Sequence, residues 1–479
     1  MTVVDTDWEL VVGLEVHAEL ATQTKVFCQC PNRFGDEPNT NVCPVCLGLP
    51  GSLPVLNQQV VELAIRLGAA LHCDVQPSIF HRKNYFYPDM PKDYQISQYD
   101  RPINVDGWLD LPSGHRVGIV RAHLEEDTGK STHMGAAAGG RIHGSEFSLV
   151  DYNRAGVPLL EIVSEPDIRS VDQAREYVGE LRALLVATGV SDAKMEEGSM
   201  RVDANVSVRR TGATEFGTRA EIKNLNSVRS LGRAIEYEAR RQIDLLEAGD
   251  TVRQETRHWD EGDGRTHTLR TKEDADDYRY FPEPDLVPLA PSKEWLAAVQ
   301  ASMPLLPTAR RERLAEAVGR APEDATVAVI VERDQDALVV DAVDAGGDSG
   351  RVLVHVEHDL APADVVVPAR LAALTRLEVS GALTATQAKA VLADVVAAGG
   401  DADPAAIAAA KGFEAMDTGV LEAAVDAAIA ADQTAWEKYV AGDDKVAGAF
   451  VGPVMKATKG KADGKAVNAL LRARRDATR

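Results

Sequence analysis

The chain has 479 residues, a formal net charge of −22, 45% hydrophobic residues and five cysteines. At about 150 residues per domain the length suggests three domains, and the apolar content excludes a disordered or fibrous chain. No apolar run approaches ~18 residues, the start MTVVDTDWEL lacks a signal-peptide pattern, and the cysteines are too few for a secreted disulfide scaffold, so a soluble, cytoplasmic protein is expected.

From the N-terminus, Leu14-Glu15-Val16-His17-Ala18-Glu19-Leu20 alternates with period two, which puts Glu15, His17 and Glu19 on one face of a strand. Cys28-Gln29-Cys30 is followed, after a short loop, by Cys43-Pro44-Val45-Cys46. Two close pairs can set four thiolates tetrahedrally around one ion, and an all-sulfur set with no open position favours structural Zn²⁺. Cys73 reads as a small buried hydrophobe. Residues 81–92 (HRKNYFYPDMPK) interleave basic and aromatic groups in a chain with 5% aromatics. That pattern suits base stacking with phosphate pairing, and equally a loop pinned by core aromatics.

Further along, Arg121, His123 and Glu125 share one face of Ile119–Asp127, and Glu161 and Glu165 stand at period-two spacing. Arg201, Asp203, Asn205 and Ser207 lie opposite Met200, Val202, Ala204, Val206 and Val208, while Arg219, Glu221 and Lys223 form a further set. Solvated strand faces usually mix Thr, Lys, Gln and Ser, whereas these segments repeat carboxylate, His, Asn and Arg. If the strands are neighbours, a carboxylate pair ~4 Å apart repels by roughly 4 kcal/mol at a surface-like dielectric unless a cation intervenes. Oxygen-rich clusters suit Mg²⁺, which commonly brings phosphate. Thr128-Gly129-Lys130-Ser131 imitates the end of a Walker A loop, but Leu124 occupies the place of its first glycine. A nucleotide is therefore expected on the sheet face, with Arg82, Lys83, Lys92 and Lys130.

Ser170-Val171-Asp172-Gln173 opens a helix that runs to Gly189, and a second helix spans about Asn226 to Gly249. The rest of the region before 225 alternates, giving an α+β fold with a largely antiparallel sheet. The proline-rich stretch Phe281–Pro288 reads as a boundary loop, after which Ala, Val and Leu dominate with helical periodicity. A second break falls at Gly399–Pro404. The expected domains are 1–293, an all-α 294–405, and a small basic tail 406–479. Residues 441–479 hold nine Lys/Arg against four Asp/Glu, with Lys456, Lys459, Lys461, Lys465, Arg472, Arg474 and Arg475 clustered. Such a tail can grip a folded RNA by shape and phosphate.

Several long motifs carry a family resemblance: VGLEVH at 12–17, RKNYFYPD at 82–89, YQISQ at 94–98 and HLEED at 123–127. VDYNRAGVPLLEIVSEPD at 150–167, KNLN at 223–226 and DDYRYFPEP at 276–284 continue it in order. Together they resemble the B subunits of the aspartyl/glutamyl-tRNA amidotransferases. Gly448–Gly460 is similar to that family's tail, 330–400 matches only loosely, and 135–147 reads as an insertion.

The resemblance implies an antiparallel cradle similar to glutamine synthetase that binds ATP and Mg²⁺, followed by helical and tail domains. It implies phosphorylation of the side-chain carboxylate of Glu-tRNA(Gln) or Asp-tRNA(Asn), then displacement of phosphate by ammonia. Carried over residue by residue, Glu125, Glu161, Lys83 and Asp203 are expected to be catalytic. Lys92, Lys130, Arg82 and Arg201 would bind nucleotide, and Glu15, His17 and Glu221 would join Cys28, Cys30, Cys43 and Cys46 as metal ligands. With four cysteines committed to metal, no glutaminase is visible. Ammonia would come from the family's glutaminase A subunit, in a heterotrimer with a small C subunit. A zinc-ribbon RNA-binding scaffold would leave the carboxylate face unexplained, and a ligase acting on a free small acid would leave the basic tail unexplained.

Overall fold

The structure, a computed structural model, describes residues 7–135, 145–271, 278–413, 418–458, 462 and 464–478. Most of the expected insertion at 135–147 lies outside these residues, as do Asp276, Asp277, Lys459, Gly460 and Lys461, and the side chain of Lys465. The chain divides into two compact units, Met1–Pro307 and Thr308–Arg479.

In the first unit the strands are β1 (Trp8–Glu19), β2 (Asp74–Val75), β3 (His81–Asn84), β4 (Tyr94–Ser97), β5 (Asn104–Asp110), β6 (Arg116–Glu126), β7 (Lys130–Met134), β8 (Phe147–Asp151), β9 (Pro158–Ser164), β10 (Met200–Arg210), β11 (Ala220–Leu225), β12 (Glu255–Asp260), β13 (Arg265–Thr271) and β14 (Phe281–Pro282). Four helices accompany them: α1 (Gln58–Ala70), α2 (Val171–Ala187), α3 (Val228–Glu247) and α4 (Lys293–Ala301). Twelve strands form one sheet with the path β13-β12-β11-β10-β1-β9-β6-β4-β3-β14, β2 and β5 joining at β6, and β7–β8 form a separate hairpin. Every pairing is antiparallel except β11–β12. A parallel neighbour needs a crossover, and α3 supplies it.

The expected helices are present, with their ends set by side chains. Ser170 Oγ accepts the Gln173 amide to start α2, and Gly189 (φ +68°) closes it. Ser227, rather than Asn226, caps α3, and Gly249 (φ +82°) ends it. In both cases glycine takes the left-handed position after the helix at little steric cost. The inner residues of α1, α2 and α3 join one face of the sheet in a single core: Val12, Leu14, Val16, Leu124, Leu160, Ile162, Ala204, Tyr177, Leu181 and Ile235 are all shut away from solvent. Burying each such large side chain contributes about 1.5–3 kcal/mol. Cys73 packs against this core but is only half-buried.

Helix α4 packs against α1, so the first unit runs on beyond residue 293. The second unit is helical: α5 (Pro307–Val318), α6 (Ala325–Glu332), α7 (Asp336–Asp344), α8 (Ser349–His358), α9 (Pro368–Val379), α10 (Ala385–Ala397) and α11 (Pro404–Ala410) share one core, around Leu314, Ile330, Val352, Leu371 and Val391. α12 (Thr418–Ala431), α13 (Gln433–Val440), α14 (Gly448–Ala457) and α15 (Gly464–Thr478) share another, around Val425, Tyr439, Phe450 and Leu471. Two of the tail's basic residues are engaged internally: Arg474 pairs with Asp426 and Glu422, and Arg475 with Asp444. Lys456 and Arg472 are exposed. Among the described residues no helix is long and apolar enough to cross a membrane.

Candidate functional site

Strand register assembles the carboxylate face. His17 stands opposite Arg201 on β10 and Glu161 on β9, and Glu161 stands opposite His123 on β6. Glu15 pairs with Asp203, and Glu125 with Ser97. Cross-strand partners point to the same side, so residues far apart in sequence meet on the face away from α1–α3. Ligand atoms of His17, Glu125 and Glu161 all lie within 4.8 Å of one another. At that spacing two bare carboxylates repel by roughly 3 kcal/mol at an effective dielectric of about 20. The cluster could therefore hold a cation.

Neighbouring groups keep these carboxylates charged. His17 Nε2 lies 3.4 Å and Arg121 Nη2 3.6 Å from Glu161, and His123 Nε2 lies 3.2 Å from Glu125 and 3.9 Å from Glu161. Burial disfavours charge on Glu161, but His123, His17 and Arg121 overcome it and hold its carboxyl well below the usual range. Glu125, buried beside Glu161, is also held low, by His123 and Lys83. It accepts hydrogen bonds from Ser97 Oγ (2.8 Å) and Gln95 Nε2 (3.1 Å). Burial pulls Lys83 down, yet Glu125, Tyr280 and Glu161 raise its pKa. Among the described residues no carboxylate lies within ion-pair distance of Lys83, and its ammonium sits 4.8 Å over the Tyr278 ring.

A cavity of ≈ 350 Å³ opens on this face, and His17, Lys83, Glu125, Glu161, Arg201, Asp203 and Lys223 are among the residues that line it. Lys223 Nζ donates to Asp203 (2.7 Å) and lies 3.0 Å from Glu221, which also accepts from Thr256. Arg201 donates to Asp127 at 2.7 Å. Glu15 lies further along the face, accepting from Asn205 at 2.9 Å. Its carboxyl is raised by burial and by the nearby charges of Glu161, Glu221 and Asp203.

Three expected nucleotide-binding residues lie elsewhere. Arg82 and Lys92 are on the opposite side of the sheet, because consecutive strand residues alternate: Lys83 and Glu125 face the cavity, whereas Arg82 and Glu126 face away. Arg82 forms a two-pronged pair with Glu283 (2.6 and 2.8 Å), and Lys92 is hydrogen-bonded to Glu126. Lys130 is exposed on the β7–β8 hairpin. Conversely, Gln95, Asp127 and Lys223 line the cavity without having been singled out for a role. The period-two position of Lys223 beside Glu221 was the available signal. Asp127 continues the period-two series of Arg121, His123 and Glu125, whereas Gln95 gave no signal beyond its place in a motif.

The four cysteines also converge. Sγ atoms of Cys28, Cys30, Cys43 and Cys46 lie within 4.8 Å of one another, with Cys43 and Cys46 3.8 Å apart. A metal–sulfur bond of ~2.3 Å in a tetrahedron requires sulfurs roughly 3.8 Å apart, so the set fits an ion. The Cys28 thiol hydrogen bond draws the Cys46 thiol down to about 5, with the nearby Lys25 charge adding to it. Cys30, desolvated and beside Cys43, is pushed up to about 11.

Comparison with known proteins agrees with this picture. The GatB/GatE catalytic domain matches residues 10–297, and the GatB domain matches 355–474. The aspartyl/glutamyl-tRNA(Asn/Gln) amidotransferase B subunit of Frankia casuarinae is 50% identical over 482 residues, covering 97% of this chain and 95% of its own. The corresponding protein of Nocardia farcinica is 49% identical over 484 residues, with the same coverage. That of Anaeromyxobacter sp. is 48% identical over 484 residues, covering 97% of this chain and 98% of its own. The chain therefore belongs to the family of aspartyl/glutamyl-tRNA(Asn/Gln) amidotransferase B subunits.

Proposed function

We propose that this chain carries out the ATP-dependent amidation of the side-chain carboxylate on misacylated Glu-tRNA(Gln) and Asp-tRNA(Asn). The observation that carries this reading is the convergence of His17, Glu125 and Glu161 opposite Lys83. A carboxylate expels hydroxide poorly. Its oxygen takes the γ-phosphoryl group of ATP, releasing ADP; ammonia then attacks the acyl carbon, loses a proton and displaces phosphate. Glu125, Glu161 and His17 would hold Mg²⁺, which would supply positive charge to offset that on the transferring phosphoryl. Lys83, with no carboxylate at ion-pair distance among the described residues, faces the phosphoryl oxygens or the substrate carboxylate, and Arg201, held by Asp127, faces a further phosphate. Asp203 and Glu221 orient Lys223 toward the same cavity. Glu15, further out, stands where ammonia is admitted. Positioning and charge do most of the work in such a transfer.

In this reading the sheet is a cradle like that of glutamine synthetase, and ammonia comes from a glutaminase A subunit held with a small C subunit. The Cys28/Cys30/Cys43/Cys46 set holds structural Zn²⁺, since four sulfurs leave no open position. The enzyme works in the cytoplasm, where misacylated tRNA is made. Helices α5–α11 and the tail helices α12–α15 act as separate helical and tail domains, the tail gripping the tRNA body through Lys456, Arg472 and their neighbours. Deleting 418–479, which carries α12–α15, should weaken tRNA binding and flatten its salt dependence by roughly 0.7 to 0.9 in log–log slope per lost phosphate contact, while ATP binding persists. Unchanged affinity and slope would remove the tail from the RNA interface.

The direct test is ADP formation by the assembled enzyme with and without misacylated tRNA. Strong stimulation by Glu-tRNA(Gln) or Asp-tRNA(Asn), and none by free glutamate or aspartate, is expected. Equal stimulation by the free acids would favour a small-acid ligase.

A further inference from the structure

We propose that the cysteine loop has a role beyond its own folding: through Lys25, Asn39, Asn41 and Asn153 it positions the Arg154–Asp127 arm of the cavity. The inference rests on the catalytic reading of that cavity. The loop between the two cysteine pairs is stapled to the turn at 150–155. Asn39 adopts a left-handed backbone (φ +62°), a conformation asparagine tolerates better than most residues. There its side-chain oxygen accepts the Tyr152 amide (2.8 Å) and its Nδ2 donates to Val150 O (3.1 Å). The Asn41 amide donates to Asn153 Oδ1 (2.8 Å), and Asn153 Nδ2 donates back to Glu37 O (2.7 Å).

Lys25 locks the same junction from inside. Its side chain is wholly buried, and its ammonium donates to Asn41 O (2.8 Å), Tyr152 O (3.2 Å) and Ala155 O (2.7 Å). A buried ammonium needs such acceptors, so these carbonyls from two segments are held together. The next residue on the chain, Val26, donates its amide to Gly156 O, and the Lys25 amide donates to Cys30 O. The metal loop and the turn therefore share one hydrogen-bonded frame.

The turn ends in the cavity wall. Arg154 Nε donates to Thr128 O (2.9 Å) and its Nη2 to Gly129 O (3.0 Å), and Nε lies 3.6 Å from Asp127. The Asp127 amide donates to Val157 O, and the Gly156 amide donates to Asp127 O. Asp127 in turn receives Arg201, a cavity cation, at 2.7 Å. A shift of the 150–155 turn would move Arg154 and Asp127 together and displace the Arg201 guanidinium that Asp127 holds, without moving the β10 backbone. Ordering the cysteine loop around an ion fixes that turn. These are positioning residues: they touch the frame, while Arg201 faces the cavity.

Amide hydrogen exchange on the full chain, with and without its bound metal, tests this without an activity assay. Metal removal should speed exchange at the Asp127, Gly129 and Gly156 amides roughly tenfold or more and leave the β10 amides unchanged. Unchanged exchange at 127–129 in metal-free protein would overturn the proposal. Should metal-free protein unfold throughout, Asn153→Ala in metal-replete protein carries the test. It should keep its metal, lower kcat for amidation about 100-fold, and leave KM for tRNA unchanged. Asn153→Asp, which keeps the oxygen that accepts the Asn41 amide, should restore part of that loss. Wild-type kcat in metal-replete Asn153→Ala would sink the idea. Wild-type amidation by Glu125→Gln would instead overturn the catalytic reading, so the two failures are distinguishable.

Discussion

On β1, Val12, Leu14, Val16 and Ala18 are closed off against the helices, whereas Glu15, His17 and Glu19, one residue out of phase, face the carboxylate side. The same split runs through β6, where Leu124 is core and Glu125 lies in the cavity, and through β10, with Val202 and Asp203. One set of strands thus builds a core from even positions and a charged site from odd ones. The division explains how a site of several buried carboxylates is tolerated: its desolvation cost is offset by paired cations on its own side, while the other side supplies the apolar burial that holds the sheet. Changes on the two faces should therefore fail in different ways.

A large effect on the charged face is expected for Asp203→Asn. It removes one of the two negative partners of Lys223 at nearly constant shape and should lower amidation by about 10³-fold while the melting temperature stays near wild type. Wild-type amidation would reduce Asp203 to part of a solvated face. The core face should behave in reverse. Leu14→Ala, fully buried two residues from Val12 and Val16, should cost about 3–5 kcal/mol, read by denaturant unfolding, with specific activity of the folded fraction retained. A variant that unfolds normally but loses turnover would break the separation. The smallest effect belongs to Lys130→Ala on the exposed hairpin. Stability should move by less than about 0.5 kcal/mol, with the KM for ATP unchanged. A several-fold rise in that KM would bring the hairpin back to the nucleotide.

Much of this division was legible in the sequence. Period two placed Glu15, His17, Glu125, Glu161 and Asp203 on common faces, because side-chain direction in a strand depends only on local geometry. Paired cysteine spacing gave the four-sulfur cluster for a similar local reason. Pooling Arg82, Lys83 and Lys92 as one basic group ignored that same alternation, and it sent Arg82 to Glu283, 201 residues away. Which strands are neighbours is a matter of long-range pairing. The insertion of β1 between β9 and β10, and the parallel β11–β12 step, leave no trace in local pattern. The partners of Arg474 and Arg475 were hidden for the same reason. A positive count along the chain says nothing of Glu422 and Asp426 on α12, which pair with Arg474.

Glu125→Gln in the assembled enzyme tests the division most directly. Glutamine keeps the size of the side chain and can still pair with Ser97, but it withdraws one negative charge from the His17–Glu161 cluster. The expected result is loss of ATP-dependent amidation of misacylated tRNA by at least about 10³-fold, with tRNA affinity and thermal stability retained. Amidation at the wild-type rate would contradict the account, because the odd-numbered face would then be no more than a charged surface.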